Sequence, residues 1–394
     1  MSFEQIKKLD DTYIAHTYAR YPVALDHGSG AICYDDAGKS YIDFTSGIGV
    51  NALGFADAGW VAAVTAQLHK LQHISNLYYT EPCVQAAKLL CEKSGMKKVF
   101  FGNSGAEANE GVIKAARKYS YQKYGKGRST ILALENSFHG RTMASLSATG
   151  QAHYHDFFFP FVEGFAFAKA NDIADTLGKL TEDVCAVMME MVQGEGGVMP
   201  LEKEYVQAVY AACQEKDILF IVDEVQTGIG RSGTFYSYQQ FDIQPDLVSS
   251  AKGLGGGLPV GAVLFGEKTQ DTLVPGDHGS TFGGNPVVCA GAVEILNRMD
   301  DAFLAEVRKK GAYLREEIEK MPHVTGVAGM GMMLGVELDV DVKPLVNTLL
   351  ENGLLVLTAK HKMRLLPPLN ITDTELAKGL AILRTTLENI GKEG

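Results

Sequence analysis

Residues 218–224 read ILFIVDE, five apolar residues followed by two acidic ones. An apolar run of this length is typical of a strand that is buried on both faces, as the strands of parallel sheets are. Successive strand side chains point to opposite faces, so Asp223 and Glu224 should point in opposite directions. A carboxylate buried alone at a strand end is costly, so Asp223 needs a cation or must become protonated. The alternatives are a structural arginine partner or a cap on the next helix.

Strand-like and helix-like segments alternate on both sides of this stretch. Strand-like runs cover residues 98–101, 130–134, 184–192 and 247–250, and helix-like runs cover 106–119 and 204–216. This order predicts an α/β fold in which a mainly parallel sheet is flanked by helices. From about residue 301 the pattern changes to helix, short strands and helix, which predicts a smaller α+β domain. We expect an N-terminal segment 1–55 that packs with the small domain, a large domain 56–295 and a C-terminal small domain 296–394.

Composition limits the possible functions of the 394-residue chain. Its formal net charge is -11, which argues against a nucleic-acid binder or a membrane-surface protein, because both need a basic patch. The N-terminus lacks the apolar region of a signal peptide, and no run approaches the ~18 apolar residues of a membrane span. The six scattered cysteines are expected to be free, buried thiols of a cytoplasmic protein. No set of histidine, cysteine and carboxylate residues predicts a metal site.

The stretch FGNSGAE (101–107) joins a strand-like run to a helix-like run. The free amides at the start of such a helix, near Gly105 and Ala106, form a natural seat for a phosphate together with the Ser104 hydroxyl. Ser104 could instead be only the helix cap, with Glu107 as its capping-box partner. The motifs of P-loop and dinucleotide-binding proteins are absent from the sequence.

The stretch SSAKGLGGGLPVG (249–261) places Lys252 at the end of a strand-like run, with glycines after it. A solvated loop lysine is the simplest interpretation. Partial burial, however, lowers the pKa of a lysine and makes its amine a nucleophile towards a carbonyl. The glycines would leave room for a flat ring beside it.

Six segments in this order carry the resemblance to a known family. They are NSGAEANE (103–110), SFHGRT (137–142), EMVQGEGG (190–197), DEVQTGIGRSG (223–233), AKGLGGGLPVG (251–261) and HGSTFGGNP (278–286). The sequence resembles the class III aminotransferases of pyridoxal phosphate fold type I. The resemblance implies pyridoxal 5'-phosphate as cofactor, small-molecule substrates and a homodimer with shared active sites. It implies transfer of the ω-amino group of N2-acetyl-L-ornithine to 2-oxoglutarate, in arginine biosynthesis.

The resemblance also implies a role for each cofactor-binding residue. Lys252 would bind the cofactor covalently and then act as the general base, and Asp223 would keep the pyridine nitrogen protonated. The other contacts would come from Ser104, Gly105 and Ala106 at the phosphate, Phe138 on one ring face, Val225 and Gln226 on the other face and the 3-oxygen, and Thr281 at the phosphate of the neighbouring subunit.

Four further residues would contact substrate. Arg141 would bind a carboxylate, although it could also be a structural ion-pair partner, and Ser280 would touch the substrate. Arg364 would bind the second carboxylate of 2-oxoglutarate. Glu195 would neutralise Arg364 while an ω-amino donor is bound and would swing away for 2-oxoglutarate.

Three other functions stay open at this point. The donor could be ornithine, succinylornithine, succinyl-diaminopimelate or 4-aminobutyrate on the same scaffold. The chain could be a mutase or decarboxylase of the same fold, which need not consume a 2-oxo acid. It could also be a non-catalytic binding protein, although the intact Lys252 and Asp223 argue against that.

Overall fold

The computed structural model describes residues 1–390. Its helices are α1 (Phe3–Tyr13), α2 (Ser46–Gly49), α3 (Ala58–Leu68), α4 (Glu81–Ser94), α5 (Gly105–Tyr124), α6 (Met143–Ser147), α7 (Ile173–Gly178), α8 (Lys203–Glu215), α9 (Pro286–Arg298), α10 (Asp301–Glu319), α11 (Val342–Glu351) and α12 (Asp373–Glu388). Its strands are β1 (Leu25–Ser29), β2 (Ile32–Asp35), β3 (Ser40–Asp43), β4 (Lys98–Gly102), β5 (Thr130–Leu134), β6 (Phe165–Ala168), β7 (Val184–Met189), β8 (Val192–Gln193), β9 (Met199–Pro200), β10 (Leu219–Asp223), β11 (Leu247–Ser250), β12 (Gly261–Phe265), β13 (Val324–Met330), β14 (Met333–Leu338), β15 (Leu354–Leu355), β16 (Leu357–Ala359) and β17 (Lys362–Leu365). Short 3-10 turns lie at Ala152–Tyr154, Ser237–Phe241 and Lys252–Leu254.

The central sheet has seven strands in the order β4-β12-β11-β10-β7-β5-β6. Strand β12 is antiparallel to both of its neighbours, and the remaining pairs are parallel. Every residue of β7, β10, β11 and β12 is buried, which explains their nearly continuous apolar sequences. The prediction of an α/β fold with a mainly parallel sheet is confirmed.

Alternate residues of the central strands pack into two apolar clusters on opposite faces of the sheet. In β10, Leu219 and Ile221 pack in the same cluster as residues of α5, whereas Phe220 and Val222 belong to the larger cluster on the other face. This is the period-two alternation of a strand. Helix α5 is thereby held against the sheet beside the strand that ends at Asp223.

One apolar run was interpreted wrongly from the sequence. The run 184–192 is not one strand, because β7 ends at Met189 and Val192 begins the separate strand β8. Burial continues through the connecting residues, since Met191 is 0% exposed and Glu190 only 5%. Apolar sequence therefore marked the buried segment but not the place where the strand ends.

Three smaller sheets lie outside the central one, two with four strands each and one that pairs β8 with β9. The first has the order β1-β2-β3-β15, and β3 pairs in parallel with β15 through Ile42 and Leu354. The second is antiparallel, in the order β13-β14-β17-β16. The pairing of β3 with β15 joins the beginning of the chain to its C-terminal part. The domain boundaries proposed at residues 55 and 295 stay a prediction.

The six cysteines are free thiols. Cys83 and Cys91 are only half-buried, so the expectation that all six are buried was wrong for these two. None of the helices within residues 1–390 combines the length and the apolar character needed to cross a membrane. Within the same range, no three histidine, cysteine or acidic side chains are grouped as a metal ion would require.

Candidate active site

The loops at one edge of the central sheet enclose a cavity of about 430 Å³. Strands β4, β10 and β11 end at this edge, where ligands bind in open α/β sheets. Nine of the residues predicted from the sequence line the cavity: Ser104, Gly105, Ala106, Phe138, Arg141, Asp223, Val225, Gln226 and Lys252. The structure thus brings together residues that are far apart in the sequence, such as Ser104 and Lys252, which are 148 positions apart.

Asp223 ends β10 and is only 3% exposed. Its Oδ2 accepts hydrogen bonds from Asn109 Nδ2 and from His139 Nδ1, both at 2.8 Å. Its Oδ1 accepts one from the Val225 amide at 2.9 Å. A carboxylate has about four acceptor positions, so one position on Oδ1 is left for a donor in the cavity. Asp223 has no arginine partner in the described range. The His139 imidazole, the Asn109 side chain and the Val225 amide instead fill three of the hydrogen-bond acceptor positions of its carboxylate.

Two titratable groups, His139 and Glu190, lie near Asp223 in the cavity lining. Burial lowers the pKa of His139, but the hydrogen bond and charge of Asp223 outweigh it and leave this pKa raised. Burial raises the pKa of Glu190 to about 7, against an opposing effect of His139. Glu190 Oε2 also accepts a hydrogen bond from the Phe138 amide at 3.0 Å. These groups form a buried network that holds the loop after β5 against the end of β10.

Lys252 lies at the start of the 3-10 turn that follows β11. Its backbone has φ +46°, a left-handed conformation that is costly for a residue with a side chain and is found most often at functional sites. Burial lowers the pKa of Lys252, and this effect exceeds the opposite influence of Glu195 and Asp223. Within residues 1–390 its ammonium forms no ion pair. The amine is therefore available for reaction with a group in the cavity.

The N-terminus of α5 points into the same cavity. Ser104 is the helix cap, and its Oγ accepts a hydrogen bond from the Glu107 amide at 3.2 Å and donates one to Glu107 Oε2 at 2.9 Å. In the part of the chain that the structure covers, the amides of Gly105 and Ala106 donate no hydrogen bond. Two free amides at the start of a long helix suit a phosphate. The Ser104 hydroxyl is engaged with Glu107 in the cap, so its contact with a phosphate stays a prediction.

Arg364 and Glu195 form a half-buried ion pair beside the cavity. Arg364 Nη1 donates to Glu195 Oε1 at 2.5 Å and to Gln226 Oε1 at 3.1 Å. Arg364 is 3% exposed, and its Nε has no partner among the residues that the structure describes. Burial would raise the pKa of Glu195, but the charge and hydrogen bond of Arg364 lower it below its ordinary value. The carboxylate therefore stays ionised and masks the charge of Arg364.

Ser280 and Thr281 lie outside the cavity lining. Ser280 Oγ accepts a hydrogen bond from Asn103 Nδ2 at 3.1 Å, which ties its loop to the residue just before the α5 cap. Thr281 is exposed in the single chain. Their predicted contacts with substrate and with a neighbouring subunit's cofactor stay predictions.

Asn109, His139 and Glu190 were not predicted to surround Asp223. Asn109 lies one helical turn beyond Gly105, and His139 follows Phe138 directly. The only signal in the sequence was their position inside three of the quoted segments, 103–110, 137–142 and 190–197. The contacts of Asn109 and His139 with Asp223, which is more than 80 positions away from each, require the folded sheet.

The donor set fits pyridoxal phosphate. The free amides of Gly105 and Ala106 suit its phosphate, and the free acceptor position on Asp223 suits its protonated ring nitrogen. The amine of Lys252 suits its aldehyde. A methyl group on Gly105 would come within 2.7 Å of Val225 Cγ1, so the cradle between these residues is closely fitted.

Comparison with known proteins gives concordant matches. The family model described as aminotransferase class-III matches residues 13–387. The chain is 54% identical to acetylornithine aminotransferase of Haemophilus ducreyi, over 99% of this chain and 100% of that protein. The solved ornithine aminotransferase of Toxoplasma gondii aligns with a TM-score of 0.95 at 31% identity, over 100% of this chain and 97% of that one. N-acetylornithine aminotransferase of Stenotrophomonas maltophilia aligns with a TM-score of 0.84 at 34% identity, over 98% and 100%.

Proposed function

Since this chain belongs to the class-III aminotransferases, which use pyridoxal phosphate, we propose that it transfers the ω-amino group of N2-acetyl-L-ornithine to 2-oxoglutarate. The products are N-acetyl-L-glutamate 5-semialdehyde and L-glutamate, and the reaction belongs to arginine biosynthesis. The observation that carries the proposal is the pair of arginines at the cavity. Arg141 has no ion-pair partner within residues 1–390, whereas Arg364 is masked by Glu195. This arrangement suits a donor with one carboxylate and an acceptor with two.

The residues that would hold the cofactor follow from the cavity. They are Gly105 and Ala106 at the phosphate with Ser104 adjacent, Phe138 and Val225 on the two ring faces, Gln226 near the 3-oxygen, and Asp223 at the ring nitrogen. Lys252 would hold it covalently. When bound, the cofactor supplies a ring that accepts electron density from the substrate carbon that loses its proton.

Lys252 and Asp223 perform the proton chemistry. With substrate in place, the free Nζ of Lys252 would take the proton from the carbon that carries the substrate's amino group. The lowered pKa of Lys252 favours the neutral amine that this step needs. Asp223 would hold a proton on the ring nitrogen through the acceptor position that remains free on its Oδ1.

The two arginines orient the two substrates. Arg141 binds the single carboxylate of N2-acetyl-L-ornithine through its planar guanidinium, which can form two parallel hydrogen bonds. For that donor, Glu195 stays paired with Arg364. 2-Oxoglutarate brings a second carboxylate, so Glu195 must leave Arg364 before this acceptor binds.

Ornithine is a second candidate donor. The observation that favours it is the TM-score of 0.95 to the ornithine aminotransferase of Toxoplasma gondii. The same cavity residues would serve either amine, and only the acyl group on the α-nitrogen separates them.

A semialdehyde-forming assay with N2-acetyl-L-ornithine and with free ornithine tests the proposal. We expect a kcat/KM for the acetylated amine that is at least about 10-fold higher, which corresponds to ~1.4 kcal/mol. The Lys252→Ala variant is the matched control and should lose turnover of both amines. A preference for free ornithine would identify ornithine as the donor instead. Lack of turnover with any ω-amine and 2-oxoglutarate would refute the proposed activity.

The assembly and the compartment belong to the same proposal. We infer a homodimer, because Thr281 and the neighbouring Phe282 are exposed in the single chain, and Phe282 is 61% exposed. A neighbouring subunit would bury this surface and bring Thr281 to its partner's phosphate. The free thiols support a cytoplasmic location.

A further inference from the structure

The guanidinium of Arg141 lies over an aromatic ring that does not line the cavity. Arg141 Cζ is 4.1 Å from the ring centroid of Tyr154 and 5.5 Å from that of Phe138. The rings of Tyr154 and Phe138 pack edge to face, with centroids 5.6 Å apart. Tyr154 is half-buried, whereas Arg141 is exposed. Arg141, Tyr154 and Phe138 thus form one contact cluster at the mouth of the cavity.

The turn that carries Tyr154 is hydrogen-bonded to the loop that carries Arg141. The Gly150 amide donates to Ser137 Oγ at 3.0 Å, and Gln151 Nε2 donates to the Ser137 carbonyl at 3.1 Å. The His139 amide donates to Thr149 Oγ1 at 3.0 Å. These bonds lie on both sides of Phe138, so the position of Tyr154 is set by the same loop that positions Arg141.

An exposed arginine with no ion pair samples many rotamers, yet two parallel hydrogen bonds to a carboxylate need one orientation of its plane. The face of an aromatic ring attracts a cation and offers a flat surface for that plane. We propose that Tyr154 is a positioning residue that holds the guanidinium of Arg141 in the orientation that binds the substrate carboxylate. The inference rests on the proposed function, because it requires a donor that carries a carboxylate.

A pair of matched amines isolates the contribution of the carboxylate. N-acetylputrescine is N2-acetyl-L-ornithine without its carboxylate, and it keeps the reacting amine and the acetyl group. The variants are Tyr154→Leu, which removes the ring, and Tyr154→Phe, which keeps it. Steady-state kinetics of the holoenzymes would be measured with both amines, and the unfolding temperature of each protein would be compared.

Tyr154→Leu should raise KM for N2-acetyl-L-ornithine between about 2-fold and 30-fold, the range of cation–π interactions from exposed to desolvated sites. Its kcat for that amine and its kcat/KM for N-acetylputrescine should stay within about 2-fold of wild type. Tyr154→Phe should behave as wild type with both amines. In an Arg141→Met background, Tyr154→Leu should have no further effect, since the two residues act as a unit.

Equal losses on both amines would show a merely structural role and overturn the proposal, as would wild-type kinetics of Tyr154→Leu. If Tyr154→Leu does not fold, Tyr154→Met supplies the ring-free variant.

If wild type fails to turn over N2-acetyl-L-ornithine, the proposed function fails first. The role of Tyr154 is then tested without turnover, by calorimetric titration of each protein with glutarate, a dicarboxylate that cannot react. Weaker binding to the ring-free variant alone supports the role of Tyr154, and equal binding to all three proteins overturns it.

Discussion

The charges of Arg141 and Arg364 have opposite surroundings. Arg141 stacks on rings that carry no charge, whereas Arg364 is paired with Glu195 at 2.5 Å and is 3% exposed. A buried arginine without an anion would be costly, so Glu195 stabilises the state in which no second carboxylate is present. In the proposed function, the same carboxylate would compete with 2-oxoglutarate for Arg364. A single acidic residue would then adapt one cavity to two substrates.

Replacement of Glu195 by glutamine should change the relative rates of the two half-reactions. Without the competing charge, Arg364 is free to bind the second carboxylate of glutamate. We expect the ratio of kcat/KM for N2-acetyl-L-ornithine to that for glutamate to fall about 10- to 100-fold, the value of one hydrogen bond to a charged group. Single-turnover absorbance measurements of each half-reaction give the ratio. Glu202→Gln, at an exposed position, is the control, and an unchanged ratio in Glu195→Gln would contradict the exchange of partners.

At the scale of the elements, the site depends on how closely α5 approaches the end of β10. Gly105 is the first residue of α5, and a Cβ there would lie 2.7 Å from Val225 Cγ1. Close packing of a helix N-terminus on a strand end lets free amides and a carboxylate face one ligand. Glycine is required at this position because of space, since its backbone is that of an ordinary helix.

Gly105→Ala should therefore weaken cofactor binding. The added methyl group has to displace Val225 or the helix, and either shift moves the free amides. We expect the dissociation constant of pyridoxal phosphate from the apo-protein to rise about 10-fold or more, in line with ~1–3 kcal/mol for overpacking. Titration followed by absorbance measures it. Gly178→Ala is the matched control, because a Cβ there meets nothing within 4 Å, and equal affinities of the two variants would refute the role of close packing.

Glu224 connects the end of β10 to the 3-10 turn at Ser237–Phe241. It is 0% exposed, and it accepts hydrogen bonds from Ser237 Oγ at 2.6 Å, the Tyr238 amide at 2.9 Å and Thr227 Oγ1 at 2.6 Å. Asp223, its neighbour, contacts Asn109 and His139 instead, as the strand alternation predicts. Burial raises the pKa of Glu224 from 4.5 to about 7, although these hydrogen bonds oppose the rise.

This pKa predicts how stability depends on pH. The folded protein binds the Glu224 proton more tightly than the unfolded chain, so its contribution is complete below about pH 4.5 and is lost as the pH rises through about 7. Relative to wild type, Glu224→Gln should therefore gain about 1–3 kcal/mol of unfolding free energy between these two pH values. Urea unfolding of the apo-proteins at several pH values measures it. A difference between the two proteins that does not change with pH would contradict the prediction.

At the scale of the whole molecule, the proposed site needs two chains. The cavity of one chain contains the Lys252 amine, the Asp223 carboxylate and the N-terminus of α5, whereas Thr281 is exposed and outside it. The proposed two-fold dimer would give each site Lys252 from one subunit and Thr281 from the other. Defects at these two positions should therefore complement each other across the interface.

Co-expression of Lys252→Ala and Thr281→Glu subunits tests this arrangement. Each homodimer should be impaired, the first because it lacks the amine and the second because a carboxylate repels the phosphate. A mixed dimer contains one fully defective site and one intact site. Random association should therefore restore about one quarter of the wild-type sites. Activity of the mixture no greater than that of Thr281→Glu alone would exclude the shared site, and sedimentation would establish the size of the assembly.

The sequence by itself determined the central strands and the residues at their ends. Runs such as ILFIV and TILAL are apolar because both faces of these strands are buried, and β5 has the predicted bounds. The family resemblance implied that Asp223 and Lys252 share one cofactor, and the strands that precede them, β10 and β11, do end at the same edge of the sheet. Family motifs then supplied roles that no local pattern contains, such as that of Thr281.

Only the tertiary structure decided which distant side chains satisfy these residues. Asn109 is 114 positions from Asp223, and Glu195 is 169 positions from Arg364. Strand β12 runs against its neighbours, and Tyr154 lies over Arg141, without a signal in the sequence. Sequence periodicity reports whether a residue is buried and in which kind of element. It does not report the partner, because hydrogen bonds and ring contacts depend on how whole elements cross in space.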